Sequence, residues 1–509
     1  MTSSTGWSAL LLGKNGLRSA ALAGGVALHA VNVYLVTTIL PSVVADIGGL
    51  DYYAWNTTLF VVASIIGSVL STKCLAGLGP RAAYIWAGVI FAIGCAVCSL
   101  SPNMAVMILG RTIQGLGGGL LFALPYAMIR LVFAEPLWPR AMALISGMWG
   151  AATLIGPAVG GIFAEYDAWR AAFLALIPVT ALFMLLAWSL LPKKSVEAPR
   201  YVGVPMAQLV LLSGVVLAIS VGSIKPDALY SVLGLAVGLL LLYFVYHVEV
   251  RATLRLLPKG AMTARNALLP LYFSMSLMVI GMTSEVFVPY FLQILHLQTP
   301  LLAGYISALM AAGWTLGALY SSGLKPDSAT RAIGIAPFCI VAGLIVAFIF
   351  VPRSQPSIIN VAGVCVGMLV IGLGIGLAWP HLLTRVLESV SEDEKELAGA
   401  SITTVQLIAT AIGAALAGMI VNLSGFTSPG GVAGASSAAA WLFGVYAALS
   451  VLIFVTVRPV IRSKTEQPRV TPSSPLAPAS ELRRDCAEHP GEHLPDSVSN
   501  LSEAPPAQR

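Results

Sequence analysis

Charge is what this sequence has least of. Only 10% of its 509 residues are Asp, Glu, Lys or Arg, 57% are hydrophobic, and the mean hydropathy is +0.87. A soluble domain carries roughly a quarter charged residues, so a water-soluble globular fold is excluded. Signatures of soluble enzymes are missing too. Gly115-Leu-Gly-Gly-Gly119 has the glycine density of a phosphate loop, but it sits inside an apolar run, without a preceding strand or a Gly-Lys-Ser ending. No metal-ligand spacing of His and carboxylates is present, and no ATPase machinery. No metal and no cofactor are therefore expected, and uphill work must draw on an ion gradient. The six cysteines are Cys74, Cys95, Cys98, Cys339, Cys365 and Cys486. Five lie in or beside apolar runs, where cysteine behaves as a small hydrophobe, and Cys95-x-x-Cys98 lacks the βαβ context of a redox motif. The net charge of +6 comes from basic residues scattered along loops. Scatter of that kind argues against a nucleic-acid partner. No cleavable signal peptide is expected, because Lys14 and Arg18 precede a run too long for a signal core.

What is present in abundance is long uncharged runs separated by short charged clusters. A helix needs about 20 apolar residues to cross about 30 Å of hydrocarbon. That rule places spans near 19–44, 55–75, 83–101, 104–129, 141–164 and 171–192, then 204–224 and 230–249. Six more follow near 266–294, 301–322, 333–351, 358–386, 398–423 and 435–458. The expected fold is an all-α polytopic membrane protein of fourteen spans, two six-helix bundles (19–192 and 266–458) with two helices inserted in 193–265. Residues 1–18 form a cytoplasmic N-terminus, and the Pro- and Ser-rich stretch 459–509 is expected to be a disordered cytoplasmic tail. With both termini inside, the outer loops hold only Arg170, Lys225 and Arg353. Arg111 lies in the membrane and every other basic residue falls inside, as the positive-inside rule requires. The basic loop 251–265 suits a place on the inner membrane surface, held by Arg251, Arg255, Lys259 and Arg265. The expected location is the plasma (inner) membrane, with the lipid bilayer as a partner and a monomer as the working unit.

Glycine and proline are poor helix formers in water, yet Gly147 to Gly161 reads GMWGAATLIGPAVGG. In a membrane, small residues let neighbouring helices approach closely. Gly147, Gly156, Pro157, Gly160 and Gly161 therefore mark a gating element, or a close helix crossing without that role. Glycines recur at matching places in the second half: Gly413, Ala417 and Gly418 echo this stretch, and Gly372, Gly374 and Gly376 echo Gly115 to Gly119. Duplicated halves with a site between them are a recurring transporter design.

Four features together resemble the fourteen-span drug:proton antiporter branch of the major facilitator superfamily. Leu109-Gly-Arg-Thr-Ile-Gln-Gly-Leu-Gly117 is close to its motif B, and Gly147 to Gly161 to its antiporter motif C. Trp169-Arg-Ala-Ala-Phe-Leu-Ala-Leu-Ile-Pro178 is similar to the segment opening its sixth span, and the span layout agrees. The resemblance covers about 19–460 and implies alternating access by two bundles. It also implies a role in proton transfer, or in keeping the cavity polar, for Arg111. Two departures stand out. Asn32 occupies the place of the first-span aspartate, and Ala76 and Gly77 replace the acid and base of the loop motif, leaving Arg81. Lys325, Asp327 and Arg331 of the equivalent second-half loop are candidates to substitute, or are simply solvated.

Ionisable residues inside a span are costly and mark function by default. Glu285 is the one carboxylate placed well inside a span, ten residues before Leu295 and so about 15 Å from the outer surface. Desolvation there opposes its charged form, which suits a group that takes a proton from one side and releases it to the other. Substrate contact in a wet cavity and a structural hydrogen bond are its alternative roles. Arg111 and His29 complete the proton-coupling candidates. His29 lies one turn before Asn32 and replaces the missing acid, hydrogen-bonds substrate, or is a satisfied interior residue. Asn32, Tyr34, Gln114, Trp149, Trp314 and Trp379 are the cavity candidates for a flat organic substrate. The first reading is proton-coupled export of a lipophilic or aromatic small molecule. The second is uptake of a vitamin such as riboflavin, or another metabolite, by the same fold. A membrane enzyme or sensor would need a catalytic cluster or a folded soluble domain, and neither is visible.

Overall fold

The structure is a computed structural model that describes residues 7–193, 203–263 and 267–462. The expected disordered tail lies outside the described residues from position 463 onward, as does Arg265 of the basic loop. Helices account for all the regular structure among the described residues. The first bundle contains α1 (Trp7–Leu11), α2 (Gly13–Ile47), α3 (Trp55–Ser99), α4 (Met104–Val132), α5 (Trp138–Glu165) and α6 (Trp169–Leu190). A hairpin of α7 (Met206–Gly222) and α8 (Ala228–Arg251) follows. The second bundle contains α9 (Leu268–Met282), α10 (Val288–Leu295), α11 (Pro300–Ser322), α12 (Pro326–Phe350), α13 (Ile358–Glu388), α14 (Lys395–Leu423), α15 (Gly431–Ser450) and α16 (Leu452–Arg462). Residue side chains start several of these helices. Asn103, Asp227, Thr299 and Ser357 each accept a hydrogen bond from a backbone N–H of the first turn, satisfying a donor that the helix itself leaves free.

Among the described residues, twelve segments are long and apolar enough to cross a membrane, and α7, at 17 residues, is a shorter apolar helix. One of the twelve contains α3, which is broken at Gly79. Gly79 takes φ 79° and ψ 167°, a conformation open to glycine, and Pro80 follows without an N–H to donate. The two arms, 55–78 and 80–99, are about 36 and 30 Å long at 1.5 Å per residue.

The glycine pattern read from the sequence becomes a repeated packing device. A Cβ on Gly115 would lie 2.3 Å from the Phe60 carbonyl oxygen, and one on Gly119 would lie 2.1 Å from that of Ser64. In the second bundle a Cβ on Gly372 would lie 1.8 Å from the Met310 oxygen, and one on Gly376 would lie 2.2 Å from that of Trp314. Both pairs are spaced four residues apart on both helices, so α4 against α3 repeats as α13 against α11. The middle glycines repeat as well: Gly117 meets the backbone of Phe91, and Gly374 meets the Ala336 oxygen. Close backbone approach of this kind is what small residues permit in lipid.

The bundles meet at the face that carries the loop between α2 and α3. Gly161 of α5 packs on the Leu301 backbone of α11, and Gly304 packs on Thr38 and Pro157. The Tyr305 hydroxyl donates to the Leu154 oxygen at 3.1 Å. Asn422 of α14 donates to the Asp51 oxygen at 3.0 Å and to the Ser223 oxygen at 2.9 Å, joining both bundles and the hairpin through one carboxamide. These cross-bundle contacts all lie on this face. Toward the other face, Gly147 and Gly150 of α5 and Gly399 of α14 have open space where a side chain would be.

The loop after α8 tucks against the protein. Leu256, Leu257 and Ala261 are buried. The buried Glu249 carboxylate accepts from the backbone N–H groups of Leu256 at 2.8 Å and Leu257 at 2.7 Å. Its leucines face the protein, a packing that the basic residues alone did not indicate.

Candidate functional site

The first-bundle wall of the central region is built around His29. Its ring stacks on Phe60 at 5.4 Å and on Phe122 at 5.3 Å, and meets Trp149 edge-on at 5.9 Å. Four helices thus converge on one imidazole, and Gly118 makes room for it, since a Cβ there would lie 2.9 Å from Nδ1. His29 Nδ1 is buried against the Gly118 backbone. One turn on, Asn32 is fully buried and neither its Oδ1 nor its Nδ2 has a partner. Buried polar groups are normally paired, so unpaired donors and acceptors on one face of α2 are suited to a polar guest.

Arg111 is 2% exposed. Its Nε donates to the Asn56 oxygen at 3.3 Å, Nη1 donates to Gln114 Oε1, and the guanidinium lies 4.0 Å from the Phe60 ring centroid. Gln114 in turn reaches Cys95 Sγ at 3.0 Å. The two ion pairs among the described residues, Arg170–Asp46 and Lys395–Glu392, do not involve Arg111. Its charge is held by neutral oxygens and an aromatic face, a cation–π arrangement that gains strength when desolvated.

The second bundle presents Glu285. The sequence suggests one continuous span over 266–294. The structure breaks it into α9, a 3-10 turn at Thr283–Phe287, and α10. Glu285 sits in that turn, about 16 Å from the end of α10 by helix rise. The break has local causes. Thr283 and Ser284 return their hydroxyls to the carbonyls of Ile280 at 2.7 Å and Gly281 at 3.0 Å. Such back-bonding competes with the helical ladder. Glu285 Oε2 is buried without a partner. Its carboxyl lies within electrostatic reach of Tyr34 on the opposite bundle.

The sequence candidates therefore fall into groups. His29 and Trp149 share a cluster, Arg111 and Gln114 are joined, and Tyr34 lies within electrostatic reach of Glu285. Trp314 and Trp379 pair edge-on at 5.0 Å within the second bundle and have no ring contact with the His29 group. Gly156 and Gly160 fit α5 onto Tyr34 and Leu35 of α2, inside the first bundle, whereas Gly161 meets the second bundle. Gly147 packs on nothing within 4 Å. Sequence reasoning missed Phe60, Phe122 and Asn56. Phe122 was findable, since it lies three turns after Arg111 on the same face of α4.

It also missed the aromatic contact that closes one face. Tyr53 is 1% exposed. Its ring stacks on Phe287 at 5.0 Å and meets Tyr290 at 5.6 Å and Phe426 at 6.1 Å, all from the second bundle. Phe287 belongs to the same 3-10 turn as Glu285.

Comparison with known proteins gives a consistent result. Residues 22–414 match the Major Facilitator Superfamily. The chain is 39% identical over 449 residues to probable multidrug-efflux transporters of Mycobacterium tuberculosis strains CDC 1551 and H37Rv, covering 85% of this chain and 93% of theirs. It is 21% identical to a riboflavin transporter of Clostridioides difficile over 54% of this chain and 59% of that one. The fold is similar to a POT family transporter solved with 5-aminolevulinic acid, with a TM-score of 0.62, 16% identity and coverage of 88% of this chain and 96% of that one.

Proposed function

The chain belongs to the Major Facilitator Superfamily, and from that premise we propose that it exports lipophilic or aromatic small molecules in exchange for protons. It is a secondary transporter, and export follows from its 39% identity to multidrug-efflux proteins over most of its length. The riboflavin transporter is a more distant and partial match, so uptake is the weaker reading.

Proton coupling is supported by one observation: a buried, unpartnered carboxyl oxygen on Glu285, in a helix break of the second bundle. An unpaired carboxylate in a closed, low-dielectric site is costly. Protonation removes that cost, so the bundles close around a neutral Glu285 and reopen with it charged. A bound substrate cation would neutralise the same group, making substrate and proton alternatives. His29, Asn32 and the Phe60–Phe122–Trp149 cluster provide stacking and hydrogen bonds for a flat guest. Arg111 keeps that wall polar and positive without a competing acid.

Fourteen spans complete the reading, with the two arms of α3 crossing separately and α7 pairing with α8. Both termini are cytoplasmic, which makes the closed face the outer one and the structure inward-open. The test is proton movement in proteoliposomes without a preset gradient, with cationic dyes and flavins added outside. Acidification outside on dye addition is the expected result. Alkalinisation would replace exchange with co-uptake, and transport without any pH change would remove proton coupling.

A further inference from the structure

A charged cavity lies at the opposite end of the first bundle from the closed face. Its volume is about 350 Å³, and its lining includes Arg18 of α2, Arg81 of the second α3 arm, Val132 at the end of α4, and Ser189, Leu191 and Pro192 at the end of α6. At about 30 Å³ per water, it holds a phosphate group with several waters. Arg81 belongs to the fold through its Nε, which donates to the Leu191 oxygen at 3.0 Å, and its backbone N–H, which reaches the Pro192 oxygen at 3.3 Å. Its Nη groups make no hydrogen bond among the described residues, and neither does the Arg18 side chain. Neither arginine belongs to either ion pair of the described residues. Ala76 and Gly77, in the turn just before Arg81, supply no carboxylate.

Two guanidinium groups sharing a cavity repel each other unless an anion joins them. Their planar forks match phosphate oxygens in two-point contact. Depth argues for the source. Trp188, 62% exposed, lies beside Arg81 with the guanidinium 5.6 Å from its ring centroid. An exposed tryptophan near a span end marks the headgroup layer.

We propose that the Arg18–Arg81 cavity is a phosphate-binding site and that its ligand in the membrane is the headgroup of an anionic phospholipid. The site is separate from the central cavity and stands whether or not transport is proton-coupled. The test uses the full chain in detergent, titrated with phosphatidylglycerol, phosphatidylcholine or inorganic phosphate, reading bound lipid by native mass spectrometry and protection by thermal unfolding. Phosphatidylglycerol should bind and protect, and phosphatidylcholine should do so far less. Arg18→Gln, whose guanidinium holds no other part of the fold, should bind phosphatidylglycerol about ten-fold more weakly, as loss of one charge-assisted contact implies. Arg81→Lys keeps the charge without the fork and should fall between them. Arg458→Gln, an exposed cation on α16, should bind as the wild type does. Equal protection by inorganic phosphate would support the phosphate site and move its source to solution. Unchanged binding by Arg18→Gln, or equal weakening by Arg458→Gln, would overturn the proposal.

Discussion

Replacing Tyr53 with alanine removes the one ring that the first bundle seats among Phe287, Tyr290 and Phe426 of the second. The side chain is 1% exposed when that face is closed. When the face opens, the bundles part there and the ring leaves its seat. The substitution therefore penalises the closed state alone. Truncating a large buried aromatic costs about 3 kcal/mol or more, which shifts a two-state ratio by about a hundred-fold. Tyr53→Phe is the informative companion. The Tyr53 hydroxyl has no hydrogen-bond partner, so its removal breaks nothing, and the ring contacts remain. Spin labels at Tyr166 on the first bundle and Val432 on the second, both exposed on the closed face, report the opening. They would be placed in a cysteine-free background and read by pulsed dipolar spectroscopy in nanodiscs. Tyr53→Ala should populate a longer distance, and Tyr53→Phe should match the parent. A folded Tyr53→Ala protein with the parent's distance distribution would refute the gate.

Other outcomes follow from the same geometry. Glu285→Gln should weaken binding of the cationic dye and lose the pH signal in proteoliposomes, and an unchanged signal would remove Glu285 from coupling. Gly372→Ala should destabilise the protein by about 1–3 kcal/mol through overpacking, because its Cβ would lie 1.8 Å from the Met310 oxygen. Gly147→Ala, with nothing within 4 Å, should change stability by less than about 0.5 kcal/mol, and thermal unfolding of the two variants checks the contrast. His296, just beyond α10, donates from Nε2 to the Val351 oxygen at 3.1 Å, and burial holds its pKa below the ordinary 6.5 despite that bond. The folded state keeps it neutral while the unfolded chain takes a proton, so its stabilising effect is intact above 6.5 and declines as the pH falls below it. The slope is at most about 1.4 kcal/mol per pH unit, and His296→Gln should flatten that part of the profile of melting temperature against pH.

Twelve of the apolar segments were legible because backbone polar groups in lipid must be satisfied within a helix or a closed barrel, and the apolar runs are long. The glycine repeat was legible because the duplicated halves keep three glycines at alternate positions in each. The break at Thr283–Phe287 was not, since Val286 and Phe287 carry the apolar run straight through it. Its local cause, two adjacent hydroxyl residues bonding back to the preceding turn, is a weak signal on its own. Trp314 and Trp379 were read as cavity residues. Their mutual packing on α11 and α13 could not be foreseen, because each helix face depends on its neighbour. Tyr53 reads in sequence as an interfacial aromatic, and only its partners make it a cross-bundle contact.

By itself the sequence determined the multi-pass character of this protein, its helical class, its repeated glycines and the few ionisable residues within its apolar runs. Those properties follow from transfer free energies and helix rise, which act on each segment alone. The tertiary structure decided which of those residues share a wall, where a span breaks, and which face is closed. Such features depend on contacts between residues hundreds of positions apart, as between Asp51 and Asn422. No local pattern encodes them.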